Sequence, residues 1–283
     1  MRIVFVFFIL AANGQQTGPA AIMARVASNM ESASEARRQF VYRQKVKARL
    51  LRTNGQVARQ EEHAYSAIPA EERTNKELIS FAGEYHKSKK EIIKYDKPGF
   101  EKGGMDFDGG IIQDLVKNLV NHKKSRDGIP HSLFPLESKD LDQYKFKLLE
   151  TTTHQGRRAY RIGFEPAGKA GVPVNMRGGD DCPQKPWKGE ALIDDEDMQP
   201  IRIATDSAFK MPWGVKVFLG TNLRQTGFSV TYTRVAPGVW FPATYGTEFK
   251  LDLLFGYHRV ITMAMDSSDF RRTTADTKIT FAQ

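Results

Sequence analysis

The sequence predicts a mainly β fold with helices, an α+β protein dominated by antiparallel strands, and three observations carry that prediction. First, Val239 to Met265 alternates almost without a break. Phe241, Ala243, Tyr245, Thr247, Phe249, Leu251 and Leu253 share one parity, while Trp240, Pro242, Thr244, Glu248, Lys250 and Asp252 share the other. Successive side chains of a strand point to opposite faces, so one face here is apolar and the other wet. Antiparallel strands over a core or cavity read this way; strands of a doubly wound α/β enzyme do not. Second, short segments starting at Gly189, Ile201, Val215, Phe228, Val239, Phe255 and Asp276 follow one another at meander spacing. Asp194-Asp195-Glu196-Asp197, Pro237-Gly238 and Ser267-Ser268 are read as the turns between them. Third, Asn54-Gly55 is a strong hairpin signal between two alternating runs.

Taken in order, Pro19 to Arg37 reads as a helix: Ile22, Val26 and Met30 recur every fourth residue, and Thr17 or Pro19 can open it. A strand follows, with Phe40, Tyr42, Val46, Ala48 and Leu50 on one face and Arg43, Lys45, Lys47 and Arg49 on the other. Beyond Asn54-Gly55 lies a polar strand from Val57 to Tyr65. Ser66 to Lys90 has no clear period. A strand is expected around Glu91 to Tyr95, then loops at Pro98-Gly99 and Gly103-Gly104. Ile111, Ile112, Leu115, Val116, Leu119 and Val120 make a helical stripe, with Asp108 as its cap and Lys123 and Lys124 suiting its C-terminal dipole. Strands resume at Tyr144 to Leu149 and Arg158 to Phe164, and a Gly/Pro-rich loop spans Pro166 to Pro186. No repeat or domain break interrupts this order, so one domain is expected.

Residues 1–14 read as an export signal: Arg2, the apolar run Ile3 to Leu10, then the small residues around Ala12-Asn13-Gly14. The run is shorter than the roughly 20 apolar residues a bilayer span needs. A mature domain of residues 15–283, soluble in the periplasm, is the expectation. The formal charge of +9 over 283 residues favours anionic partners, and an exported chain meets a membrane surface or an acidic envelope protein, not nucleic acid. Cys182 is the single cysteine, which excludes an internal disulfide and a multi-thiolate zinc site.

The motifs that carry chemistry elsewhere fail here in detail. Gly163 to Ala170 approaches a P-loop, but Ala170 stands where a hydroxyl would meet magnesium, and Gly171 and Pro173 forbid the following helix. The acidic run at Asp194 lacks the spaced ligands and glycine of a calcium loop and reads as a turn with solvated charges. His63, His86, His122, His131, His154 and His258 form no pair at metal-ligand spacing, and no Gly-x-Ser-x-Gly elbow is present. Asp180 and Asp181 beside Cys182 raise a thiol pKa and blunt a nucleophile. No cofactor, metal or catalytic residue is therefore expected. What remains is a set of inward apolar side chains: Phe40, Tyr42, Val46, Leu50, Tyr160, Ile162, Phe228, Tyr232, Phe241, Tyr245, Phe249 and Met263. Such residues fill a core or line a lipid cavity, and the pattern leaves both open.

The order of elements resembles the bacterial lipoprotein-carrier family (LolA/LolB-like). So does the run Trp187-Lys-Gly-Glu-Ala-Leu-Ile-Asp194-Asp-Glu-Asp-Met-Gln-Pro200-Ile-Arg-Ile, a strand, an acidic turn, Pro and a strand. Val239-Trp-Phe-Pro242 and Phe270-Arg-Arg272 are similar to segments of envelope proteins of the lipoprotein-sorting kind. The resemblance implies an unclosed antiparallel β-barrel with an N-terminal helix and a mid-chain helix across its mouth. It implies a monomeric, non-enzymatic periplasmic carrier of lipid or lipoprotein acyl chains. The inward residues would line its cavity, and Ile112, Leu115, Val116 and Leu119 would form the apolar side of its lid. Independently of the resemblance, the basic face of Arg43, Lys45, Lys47 and Arg49 is the candidate docking stripe for an anionic membrane or an acidic partner protein. The long Ser66 to Gly110 and Pro166 to Pro186 segments depart from the family pattern. Two other readings stand beside this one: an envelope sensor or interaction module on the same fold, and a hydrolase whose site is assembled from distant residues.

Overall fold

Among the described residues, eleven antiparallel strands make one sheet that does not close on itself, and two α-helices lie against it. The computed structural model describes residues 18–70, 74–104, 106–121, 137–167, 187–207, 221–253 and 257–273. The strands run in spatial order β4-β3-β2-β1-β11-β10-β9-β8-β7-β6-β5. Their ranges are β1 Phe40–Leu51, β2 Val57–Pro69, β3 Thr74–His86, β4 Ile92–Tyr95, β5 Tyr144–His154 and β6 Arg157–Pro166. They continue with β7 Trp187–Asp194, β8 Pro200–Ser207, β9 Thr221–Ala236, β10 Val239–Leu253 and β11 Tyr257–Arg272. Nearly every neighbour in the sheet is a sequence neighbour. The exception is β1 with β11, which joins the first strand to the last. The expected unclosed antiparallel barrel with helices is what is seen.

Helix α1, Pro19–Arg37, coincides with its sequence period and buries Ile22, Met23, Val26, Ala27 and Met30. Proline at its first position suits a helix start, where the missing N–H costs nothing. Helix α2, Phe107–Asn121, begins before the expected stripe. Its cap is Asp106 rather than Asp108: Asp106 Oδ1 accepts the Gly109 N–H at 3.0 Å. A short 3₁₀ helix, Ser138–Gln143, leads into β5.

Three expectations are corrected. The turn expected at Ser267-Ser268 is absent: both residues sit inside β11, opposite Gln44 and Arg43, and the irregularity there is a bulge with Asp269 at φ 55°. Ser66 to Lys90, without a clear period, holds the end of β2 and all of β3, whose alternation is broken by a register shift between Ala64 and Tyr65. The acidic run is a turn, but Asp194 is not solvated; it is 1% exposed. The segments expected to start at Val215 and Asp276, the export signal, Lys123, Lys124 and Cys182 lie outside the described residues.

Pairing registers assemble the inner face. One lateral row crosses ten strands: Leu148, Ile162, Ala191, Ile203, Val230, Tyr245, Met265, Val46, His63 and Phe81. The next row runs Phe146, Phe164, Gly189, Thr205, Phe228, Thr247, Met263, Ala48, Glu61, Gly83 and Tyr95, across all eleven. Because period-two alternation sends whole rows to one face, both rows meet the helices as a surface, not as scattered contacts. Helix α1 packs towards β5 and β10, and α2 towards β1, β2 and β3.

Candidate functional site

The helix-covered face is the candidate site. Val46, Leu50, Ile112, Val116, Leu119, Ile162, Phe228, Tyr232, Tyr245 and Met263 belong to one buried apolar cluster there, and Leu115, Tyr160 and Phe249 pack against it half-buried. Phe40, Tyr42 and Phe241 do not join it. They form a separate cluster with Ala67, edge-on to one another at 5.6 and 5.5 Å between ring centroids, with Phe270 packed alongside. For Phe241, one extra residue in β10, at the register shift between Pro242 and Thr244, reverses the alternation relative to Tyr245. Strict alternation along the sequence cannot reveal this.

The acidic turn after β7 fixes one end of the site. Asp194 accepts a two-bond fork from Arg157, Nε and Nη2 each at 2.7 Å, and also the N–H groups of Glu196 and Asp197. Burial works to raise the Asp194 pKa, but Arg157 and these N–H donors outweigh it and hold the carboxyl below its ordinary value. The Trp240 indole donates to Asp197 at 2.8 Å, and Asn29 of α1 donates to the carbonyls of Asp197 and Met198. The turn thus ties α1 to β10 and to the sheet.

At the other end, β2 interrupts the apolar face with charge. Arg59, Glu61 and His63 are all buried, on alternate positions of one strand. The Arg59 guanidinium donates to Glu61 Oε1 at 3.2 Å, to the Tyr95 hydroxyl and Asp106 Oδ2 at 2.8 Å, and to the Phe100 carbonyl at 2.7 Å. The Tyr95 hydroxyl donates onward to Glu61 Oε1 at 2.8 Å. His63 stands between Glu61 Oε2 and the Tyr65 hydroxyl, each at 3.1 Å. Burial pushes the Glu61 pKa up, but hydrogen bonds from His63 and Tyr95 and the charge of Arg59 bring it below its ordinary value. Gly83 makes the geometry feasible, because a side chain there would occupy the volume of the Tyr95 ring as it crosses β3.

This cluster anchors the start of α2. Arg59 holds the capping Asp106, and Arg259 from β11 holds Asp108 at 2.9 Å, with the Tyr257 hydroxyl on the same carboxylate. The Gly109-Gly110 pair is therefore inside the helix and not a hinge; a Cβ on Gly109 would strike the Arg59 guanidinium. Gly103 and Gly104, at φ 84° and 69°, supply the turn before it. Along the sequence, His63 stands alone, and Arg59 and Glu61 read only as features of a polar strand. The signal that could have found the cluster is three ionisable residues at i, i+2 and i+4 on the strand face that carries Tyr65. The third neighbour of the His63–Glu61 pair is a tyrosine hydroxyl, not a serine nucleophile.

The basic stripe expected to dock lies on the opposite face: Arg43, Lys45 and Arg49 are exposed and Lys47 half-exposed. Lys47 meets Glu62 at 3.5 Å and Arg43 meets Asp269 at 3.7 Å, so part of the charge is offset. A hollow of about 850 Å³ lies on that outer side too, across β5 to β8, away from the helices. Among the described residues no group of three or more His, Cys, Asp or Glu side chains is placed to hold a metal, and no helix is long and apolar enough to cross a membrane.

No protein-family model and no curated protein matches the chain. Among solved structures it is similar to a DUF1329 family protein from Desulfovibrio piger, at 11% identity and TM-score 0.35, covering 93% of this chain and 96% of that one. It is similar to a LolA superfamily protein from Nitrosomonas europaea, at 11% identity and TM-score 0.32, covering 88% and 94%. The lipoprotein LppX of Mycobacterium tuberculosis matches at 9% identity and TM-score 0.28, covering 90% and 97%. The open antiparallel sheet carrying helices is read from this chain's own strand order.

Proposed function

We propose that the chain is a non-enzymatic binder of lipid or lipoprotein acyl chains, exported to the periplasm, with the helix-covered face as its cavity and α2 as the lid. One observation carries this reading: among the described residues, an apolar surface that runs from β5 across the sheet to β1, and ends at the charged residues of β2, is covered by two separate helices instead of a second sheet. Helices held by side chains can leave such a surface without breaking the sheet's backbone ladder, and the surface they leave is greasy. A chain of about sixteen carbons gains roughly 12 kcal/mol of gross hydrophobic drive at about 0.8 kcal/mol per methylene. Met263 and Met265 add adaptable side chains to the lining, which suits cargo that must be released. The hydrolase alternative has less support, because the buried His63–Glu61 pair ends on Tyr65.

Native mass spectrometry of the mature protein extracted from a bacterial envelope tests the reading. A co-purifying acylated species, with the polypeptide beginning near Gln15, is the expected result. An intact Met1 in cytoplasmic protein, or envelope protein that neither carries nor takes up an acyl probe, would overturn it.

A second reading, that the domain docks on a surface, is favoured by the exposed stripe on β1. Reversing Lys45 and Lys47 to Glu should weaken association with vesicles of phosphatidylglycerol, and added salt should act in the same direction. Stability should change by no more than about 0–1 kcal/mol, as for exposed charges generally. Association that ignores both treatments would leave the stripe a solvated outer face.

A further inference from the structure

We infer that the hollow on the outer face of β5 to β8 is a second binding site, which takes an anionic amphiphile: one apolar tail ending in a phosphate or carboxylate. Its volume, about 850 Å³, is that of a small-molecule site, typically about 300–1,000 Å³. Register makes the hollow. Lys147, Gly163, Glu190 and Ala204 form one lateral row on the face opposite Ile162, and on either side of Glu190 in that row Gly163 and Ala204 project almost no side chain. Leu149 and Leu192 flank the gap, so the floor is apolar as well as low.

Cations surround this floor. Lys145, Lys147 and Lys188 are exposed, and among the described residues none of their amines meets a carboxylate within ion-pair distance. Arg202 donates to the Ser229 hydroxyl at 3.4 Å. Arg161 differs, being engaged by Glu150 at 3.1 Å and Glu190 at 3.6 Å. Five cationic side chains line the hollow against three acidic ones, Glu165, Glu190 and Asp206. The excess matches a ligand with one compact anionic head, while the acids repel a polyanion. Apolar contact with a few placed charges is the usual chemistry of a ligand site. Phe146, Phe164, Gly189 and Thr205 of the inner row also border the hollow, but the cations and the low floor belong to the outer face, so this site stands whether or not the helix-covered face binds acyl chains.

Titration calorimetry on the folded chain separates the possibilities with three probes: dodecyl phosphate, inorganic phosphate and dodecanol. Two variants accompany the parent. Lys147→Glu with Lys188→Glu reverses exposed charge, and Gly163→Leu fills the floor, where a Cβ meets Leu149 at 3.4 Å in ordinary contact without backbone strain. Dodecyl phosphate should bind the parent and lose about tenfold or more in each variant. Inorganic phosphate should bind much more weakly, and dodecanol should be indifferent to the charge reversal. Equal affinity of dodecyl phosphate for all three proteins would overturn the site. Inorganic phosphate binding as tightly as dodecyl phosphate would overturn its amphiphile character. Dodecanol alone reports on the acyl-binding face, so a failure there is visible separately.

Discussion

Arg59 on β2 and Asp106 at the cap of α2 form an ion pair of 2.8 Å with neither side chain more than 5% exposed. Removing one partner of such a pair leaves a buried charge without compensation, at a cost of about 3–5 kcal/mol. Arg59→Met should therefore lower stability by that order, since it strands both Glu61 and Asp106. The urea midpoint measures this. A loss below about 1 kcal/mol would mean that water reaches the carboxylates and the cluster does not hold α2.

Acid should unfold the chain through the same cluster. Burial alone would raise the Glu61 pKa, but His63, Tyr95 and Arg59 together outweigh it, so the carboxyl titrates below its ordinary value of 4.5 in the folded state. A carboxyl with a depressed folded pKa contributes stability that is complete above its ordinary pKa and is lost as pH falls through the folded value. Asp194, whose burial is outweighed by Arg157 and its N–H donors, acts in the same sense below 3.8. Stability should thus be flat near neutrality and fall below about pH 4.5. Glu61→Gln should lower the plateau and make the acid fall shallower, as read from denaturant midpoints across pH. An acid limb of unchanged slope would count against the assignment.

Two adjacent glycines in α2 should respond in opposite directions. Glycine inside a helix ordinarily costs about 0.5–1 kcal/mol relative to alanine. At Gly110 nothing lies within 4 Å of an added Cβ, so Gly110→Ala should stabilise by about that amount. At Gly109 the added Cβ meets the Arg59 guanidinium and the Asp106 carboxylate, so Gly109→Ala should destabilise. Thermal midpoints decide it. Two shifts of the same sign would show that Arg59 is not seated against the helix.

The lid role of α2 separates from a core role by position along the stripe. Ile112 is fully buried, and Ile112→Ala should cost about 2–5 kcal/mol. Leu115 packs half-buried against the same cluster, so Leu115→Ala should cost less than that, while affinity for an acyl probe falls clearly. Normal probe binding by Leu115→Ala with a large loss of stability would make α2 ordinary core.

The strand faces were legible because side-chain parity is local: on β1 the alternation of Val46, Ala48 and Leu50 with Lys45, Lys47 and Arg49 matches burial residue for residue. Helix α1 was legible because its period is unbroken. The limits lay where one residue changes everything downstream. The bulges near Ala243 and at Ser268 to Arg271 sent Phe241 to another cluster and turned expected turn residues into strand. The Arg59–Glu61–His63 cluster was hidden for a different reason. Its partners Tyr95, Phe100 and Asp106 come from segments about 34 to 47 residues away, and spacing along one strand does not reveal what folds over it.

The sheet's outermost strands, β4 and β5, are not paired with each other. A closed barrel has its girth set by strand number and stagger, and widening it means breaking a ladder. Here the circumference has a seam, so the curl can relax or tighten by small changes of twist spread over ten ladders while every backbone pair survives. If the helix-covered face takes acyl chains as proposed, the sheet can adjust to contents of unequal thickness without losing a backbone pair.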